Sequence, residues 1–158
     1  MRSHAQLAFT RFEIVVVSVV LAVLGFVFVP YFAEAESSTR ISTCADQLDR
    51  ITQAFDVFHA SNGYWPPDTV VGKLPPEMRS VFKGENPFQG ETPIGGQFDY
   101  ELLDDTGVVC IVIRGSGIIE PPALDDAMAL DEWMDDGDLR SGNFRKVADG
   151  YALAFSRD

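Results

Sequence analysis

The residues best suited to bind a metal ion are aspartates crowded into one stretch near the carboxyl-terminal end. Asp131 is followed closely by the three aspartates of residues 135–138. Carboxylate oxygens are the ligands that Ca²⁺ prefers, but Trp133 and Gly137 break the ligand spacing of an EF-hand loop. Calcium binding and a solvated turn therefore both stay open, and the sequence predicts no metal ligand and no cofactor.

The thiols and imidazoles are too few and too scattered for a structural metal centre. The chain has two cysteines, Cys44 and Cys110, and two histidines, His4 and His59. Two cysteines cannot complete a four-ligand zinc site. If the domain is exported, Cys44 and Cys110 could form a disulfide, and two unpaired buried thiols are the alternative.

The patterns that accompany nucleophilic catalysis are missing from the sequence. Gly115-Ser116-Gly117 lacks the wider pattern of a nucleophile elbow. His59 lies near the end of a predicted helix without an evident acidic or nucleophilic partner. We therefore expect that the protein is not an enzyme.

The charge balance argues against nucleic acid as a partner. The formal net charge is -12 over 158 residues, and an acidic surface repels a phosphate backbone. A local basic group of Arg140, Arg145 and Lys146 keeps a role in DNA uptake as the weaker alternative. No nucleic-acid partner is expected.

A long apolar segment near the amino terminus is the strongest single signal. Residues 12–33 carry one charge, Glu13. About 22 helical residues span roughly 33 Å, which is enough to cross a bilayer core. Arg2 and Arg11 precede the segment and Glu36 follows it, so the positive-inside rule places the following domain outside the cytoplasm. A cleaved secretory signal peptide and a simple signal anchor are the alternatives.

Two residues make this segment more specific than a plain anchor. Glu13 brings a carboxylate to the edge of the hydrocarbon, where it needs a partner or a neutral form. A free amino terminus created by cleavage just upstream could be that partner. Pro30 removes a backbone donor inside the apolar helix and is expected to kink it.

The run Ala8-Phe9-Thr10-Arg11-Phe12-Glu13, followed by the apolar segment, resembles the prepilin cleavage and methylation motif of type IV pilins and type II secretion pseudopilins. The resemblance implies cleavage between Ala8 and Phe9, N-methylation of Phe9, and pairing of Glu13 with the amino terminus of a neighbouring subunit. Pro30 falls where the family often has a helix-breaking proline. Ala8 stands where the family usually has glycine, and Arg11 stands where it has leucine. The turn at residues 62–67, Asn-Gly-Tyr-Trp-Pro-Pro, is similar to one found in many pseudopilins.

The resemblance implies a structural subunit that assembles into a helical filament with like subunits. Its other implied partners are prepilin peptidase and an inner-membrane assembly platform. The expected location is the bacterial inner membrane, single-pass, with the head in the periplasm and the filament in the periplasm or at the cell surface. The alternative is a single-pass binding or sensor protein that has only a prepilin-like anchor. Pilus or pseudopilus, and major or minor subunit, stay open.

The apolar helix is predicted to continue beyond residue 33 as an amphipathic helix. Apolar residues recur at alternating spacings of three and four, which predicts one helical stripe packed on a sheet. The stripe consists of Ile41, Cys44, Leu48, Ile51, Phe55 and Phe58. Asn62-Gly63 predicts the end of this helix, about 50 residues after its start. The expected organisation is a leader at 1–8, a membrane or filament-core helix at 9–33, and the rest of the chain, 34–158, as the head.

The head is predicted to hold three or four antiparallel strands. Strand patterns occupy residues 98–103, 108–113, 144–147 and 151–155, with a short helix near 76–82 and a second helix at 123–134. A turn is expected at residues 104–107. Cys110 is predicted to face the long helix with Val108 and Val112, beside Cys44. The fold class is α+β and pilin-like, with a long amino-terminal helix on a small antiparallel sheet.

Overall fold

The computed structural model describes residues 10–103 and 108–157, except for the side chains of residues 29–34 and 157. It is an α+β fold with one long helix and a four-stranded antiparallel sheet. The chain divides into two units, Met1–Ser37 and Ser38–Asp158. The elements are α1 (Arg11–Asn62), a 3₁₀ turn (Pro76–Arg79), β1 (Gln97–Leu103), β2 (Val108–Arg114), α2 (Leu124–Met134), β3 (Phe144–Val147) and β4 (Gly150–Arg157).

Helix α1 runs for 52 residues and ends where the sequence predicts. Gly63 has φ of 76°, a left-handed conformation that glycine adopts without steric cost. Its N–H donates to the carbonyl of His59 at 2.7 Å, and the Asn62 side-chain amide donates to the carbonyl of Phe58 at 2.8 Å. These bonds satisfy carbonyls that the helix end leaves without a partner.

The predicted stripe on α1 is confirmed within the second unit. All six of its residues are buried, and Cys44, Leu48 and Phe55 have no exposed surface. The polar residues predicted for the opposite face are exposed, namely Asp46, Asp49, Arg50, Gln53 and Asp56. Residues 38–62 therefore form an amphipathic helix that buries one face against the rest of the head.

The sheet has the strand order β1-β2-β4-β3, and every neighbouring pair is antiparallel. Strands β3 and β4 form a hairpin in which Val147 pairs with Gly150. A Cβ at position 150 would overlap the carbonyl oxygen of Ile113, so the glycine allows β4 to lie close against β2. The four predicted strands and α2 are confirmed, and the turn predicted at 104–107 lies outside the described residues.

Aromatic rings fill the space between α1 and the sheet. Phe55 stacks on Tyr100 of β1 with ring centroids 4.4 Å apart, and Phe88 meets Phe55 edge-on at 6.3 Å. The Tyr100 hydroxyl donates to the carbonyl of Pro66 at 3.0 Å, which gives this buried polar group a partner. The loop after α1 is thereby attached to the middle of β1, an edge strand of the sheet.

The predicted orientation of β2 is wrong. Val109, Ile111 and Ile113 belong to the core that contains the α1 stripe. Side chains alternate along a strand, so Cys110 points to the opposite face of the sheet with Val112. Cys110 and Val112 are nevertheless buried, so the strand is apolar on both faces. The expected pairing of Cys44 with Cys110 fails for this reason, and both residues are free thiols.

Candidate functional site

The first half of α1 presents an exposed apolar surface in the part of the chain that the structure describes. Arg11–Phe28 is long and apolar enough to cross a membrane, and none of it is buried. Its exposed side chains are mainly valines, leucines and phenylalanines, including Val16, Leu21 and Phe26. Fully burying one such side chain contributes about 1.5–3 kcal/mol. A surface of this size requires lipid, detergent or other protein to cover it.

The helix begins with three hydrogen bonds between Thr10 and Glu13, which run in both directions. The Thr10 N–H and hydroxyl donate to Oε2 of Glu13 at 2.9 and 3.0 Å. The Glu13 N–H donates back to the Thr10 hydroxyl at 3.2 Å. This is a capping box, in which a threonine before the helix and a glutamate three residues later satisfy unpaired backbone donors. The spacing Thr-x-x-Glu is the sequence signal for this capping box, which is not among the predictions above.

The capping box leaves one oxygen of Glu13 outside its hydrogen bonds. Both bonds from Thr10 end on Oε2, and an ionised carboxylate can accept further bonds on its second oxygen. Glu13 is exposed, as are its neighbours Phe12 and Ile14. The carboxylate is therefore fixed in orientation and still able to accept a donor from another molecule.

The other predicted site residues of this segment are Ala8, Phe9 and Pro30. Ala8 and Phe9, the predicted cleavage site, lie outside the described residues. Pro30 lies within α1, which is helical on both sides of it. Its side chain is not among those described, and the kink predicted there stays a prediction.

The two thiols are shielded rather than reactive. Cys44 lies in the core between α1 and the sheet, where burial raises its pKa to about 12 despite a nearby Thr92 hydroxyl. Burial likewise raises the pKa of Cys110 to about 11 on the other face. Because the thiolate is the reactive species, neither residue is a candidate nucleophile.

An ion-paired cluster that was not predicted from the sequence lies on the sheet face that points away from α1. The Arg114 guanidinium lies 3.3 Å from Asp99 and 3.1 Å from Asp149, and it also binds Glu101. Asp99 is buried, and desolvation raises its pKa to about 6 even though Arg114 acts in the opposite direction. One cation is thus shared by three carboxylates. Alternation in β1 places Asp99 and Glu101 on one face, and this is the part of the cluster that the sequence could have indicated.

Comparison with protein-family models, curated proteins and solved structures gave no match. The functional interpretation of the chain therefore rests on its apolar helix, the geometry at the start of that helix, and the side chains of the head.

Proposed function

We propose that the protein is a structural subunit of a type II secretion pseudopilus or a type IV pilus, and not an enzyme. The observation that carries the proposal is the exposed apolar surface of Arg11–Phe28 on a helix whose later residues contribute to the core of a folded head. In the inner membrane lipid covers this surface. In the filament the same surface of neighbouring subunits replaces the lipid.

The capping box supports a specific role for Glu13 in assembly. Cleavage between Ala8 and Phe9 creates a new amino terminus one residue before Thr10. The second oxygen of Glu13 accepts a hydrogen bond from the charged amine of Phe9 in a neighbouring subunit. This pairing fixes the axial register of the subunits in the filament. A contact between two different surfaces of identical subunits generates a helical filament when it does not close into a ring.

The first experiment tests processing. The full chain is co-expressed with a prepilin peptidase, and the mature protein is analysed by mass spectrometry. We expect a methylated Phe9 terminus. A terminus at Met1 would contradict the proposal and leave a plain membrane anchor. A processed protein that stays monomeric in the membrane would favour the binding or sensor alternative.

The second experiment separates the assembly role of Glu13 from its capping role. Glu13→Ala removes both, whereas Thr10→Val removes the capping hydroxyl and keeps the carboxylate. Glu36→Ala removes another exposed carboxylate of α1 as a matched control. We expect filament assembly to fail with Glu13→Ala, and to proceed with Thr10→Val and Glu36→Ala. Equal loss with Glu13→Ala and Thr10→Val would show that helix capping alone explains the effect.

A further inference from the structure

Positive charge is concentrated in one groove of the head beside α1, although the chain as a whole has a formal net charge of -12. Two clefts of about 190 and 370 Å³ share Glu85 and Asn86 and together form this cationic groove. Its lining contains three cations, Arg50 of α1 and Lys73 and Arg79 between α1 and β1, against the single carboxylate of Glu85. None of the three cations forms an ion pair with the described residues. The cationic groove therefore favours an anionic partner.

The cationic groove also has an apolar part. Phe82 and Pro87 line the cleft next to α1, and both are half-buried, so part of their apolar surface stays accessible. Interfaces between proteins combine an apolar centre with a polar rim. The groove therefore suits a partner that carries an apolar side chain between carboxylates.

Helix α2 presents a surface of this kind. Asp125, Met128 and Glu132 follow one another at spacings of three and four, which places them on one face of the helix. All three are exposed, and neither carboxylate forms an ion pair with the described residues. Trp133 lies next to this face with 62% of its surface exposed. Because tryptophan and methionine are enriched at protein interfaces, this face of α2 is suited to bind another protein.

The cationic groove and α2 lie on opposite flanks of α1. Gln47 and Arg50 line the groove, whereas Asp49 and Thr52 line a cleft that contains Met134, the last residue of α2. On a helix with 3.6 residues per turn, residues two apart project about 160° away from each other. One head therefore cannot place its own α2 in its own groove, and the occupant must be a separate molecule.

We propose that the exposed face of α2 docks into the cationic groove of a neighbouring copy of this chain. The contact rests on the proposed filament function and specifies how two heads meet. Met128 lies against the apolar part of the groove, and the two carboxylates of the α2 face pair with the cations. Because the two surfaces differ and lie on opposite flanks, each head uses both at once, and the contact repeats from subunit to subunit.

Cysteine cross-linking in filaments of the full chain tests the contact directly. Glu85→Cys places a thiol in the groove and Ala129→Cys places one on the α2 face, and neither change removes a charge of the proposed pairs. Filaments of the double variant are oxidised with copper phenanthroline and separated on a denaturing gel without reductant. We expect a ladder of dimers, trimers and longer chains.

Two controls make the cross-linking result specific. The unsubstituted chain should give no ladder, because Cys44 and Cys110 are buried. Glu85→Cys combined with Ala148→Cys, an exposed alanine of the β3–β4 turn, should give none either. Cross-linking that stops at dimers would show a reciprocal pairing of heads, and absence of any cross-link in intact filaments would show that α2 lies elsewhere. Either result would overturn the proposed contact.

Charge reversal tests the electrostatic part of the contact. Arg50→Glu and Glu132→Arg each bring like charges together, and each should lower the yield of filaments at least about tenfold. The double variant Arg50→Glu/Glu132→Arg restores opposite charges and should recover most of the yield. Arg145→Glu reverses an exposed cation of β3 outside the groove and should leave the yield unchanged. All these residues are exposed, so the melting temperatures of the heads should stay close to that of the wild type.

The outcomes separate this contact from the proposed function itself. Wild-type filaments together with normal yields for both single reversals would overturn the contact and leave the filament function intact. A loss of filaments that the double variant does not recover would also overturn the pairing. Absence of filaments from the wild type would contradict the proposed function, and the contact between heads would fall with it.

Discussion

Asp99 makes the stability of the head depend on pH in a direction opposite to that of an ordinary ion-paired aspartate. Its carboxylate is buried beside Arg114, while Glu101 and Asp68 also act on it. Desolvation outweighs the attraction of Arg114, so the pKa rises from 3.8 to about 6. The substitution Asp99→Asn removes the titration while keeping a side chain of similar size.

The size and sign of the effect follow from the two pKa values. Between pH 3.8 and about 6 the folded protein retains a proton that the unfolded chain has lost, so the free energy of unfolding falls as pH rises. The whole shift is worth about 3 kcal/mol at 1.36 kcal/mol per pKa unit. Most of this, about 2 kcal/mol, falls between pH 4 and pH 7. Above pH 7 the contribution of Asp99 is constant.

Urea unfolding of the full chain in dodecyl maltoside, followed by tryptophan fluorescence, measures the effect. Wild type and Asp99→Asn are compared at several values between pH 4 and pH 7. The other titrating groups, including the buried Asp131, are present in both proteins, so their contributions cancel in the difference. The free energy of unfolding of the wild type relative to that of Asp99→Asn should decrease by about 2 kcal/mol across this range.

Two results would refute this reasoning. Parallel pH profiles for the two proteins would show that Asp99 titrates at its ordinary pKa, so that Arg114 fully offsets desolvation. A relative stability that increases with pH would show that the Arg114 ion pair dominates and lowers the pKa.

Two further predictions concern the core and the thiols. Phe55→Ala removes a fully buried ring that stacks on Tyr100. It should lower the free energy of unfolding by about 3–5 kcal/mol. The exposed Val57→Ala on the same helix should change urea stability by less than about 0.5 kcal/mol, and equal losses would contradict the core assignment. Cys44 and Cys110 should react slowly with a thiol reagent in the folded protein, because burial raises both pKa values. After unfolding without reductant, two thiols per chain should react, whereas none would react if a disulfide were present.

The sequence correctly predicted which face of an element is buried where polar residues occupy the opposite face. On α1 the exposed acids between Cys44 and Phe58 identify the buried face without ambiguity. Strand β2 has no such mark, because Val109 to Ile113 are apolar on both faces. Alternation then cannot say which side meets the helix, and Cys110 was assigned to the wrong face.

The polar clusters were harder to predict for two reasons. Some of their members are distant in the sequence, and others lie among many exposed residues of the same type. Arg114 meets Asp99 and Asp149 from two other parts of the chain, and a single sequence does not reveal such pairings. Asp131 looks like one more acid on an acidic helix, and only the packing of α2 shows that it is buried.

The order of the strands has a consequence for the way the head is made. β4 is the last strand along the described chain, yet it lies between β2 and β3. During synthesis the β1–β2 hairpin can form early, but β3 has no neighbour in the sheet until β4 has emerged. The edge of β2 that β4 will occupy stays open meanwhile, and an unpaired edge invites pairing with other chains. A chain interrupted near Asp149 would keep most of its residues and still lack β4, the strand that joins β3 to the rest of the sheet.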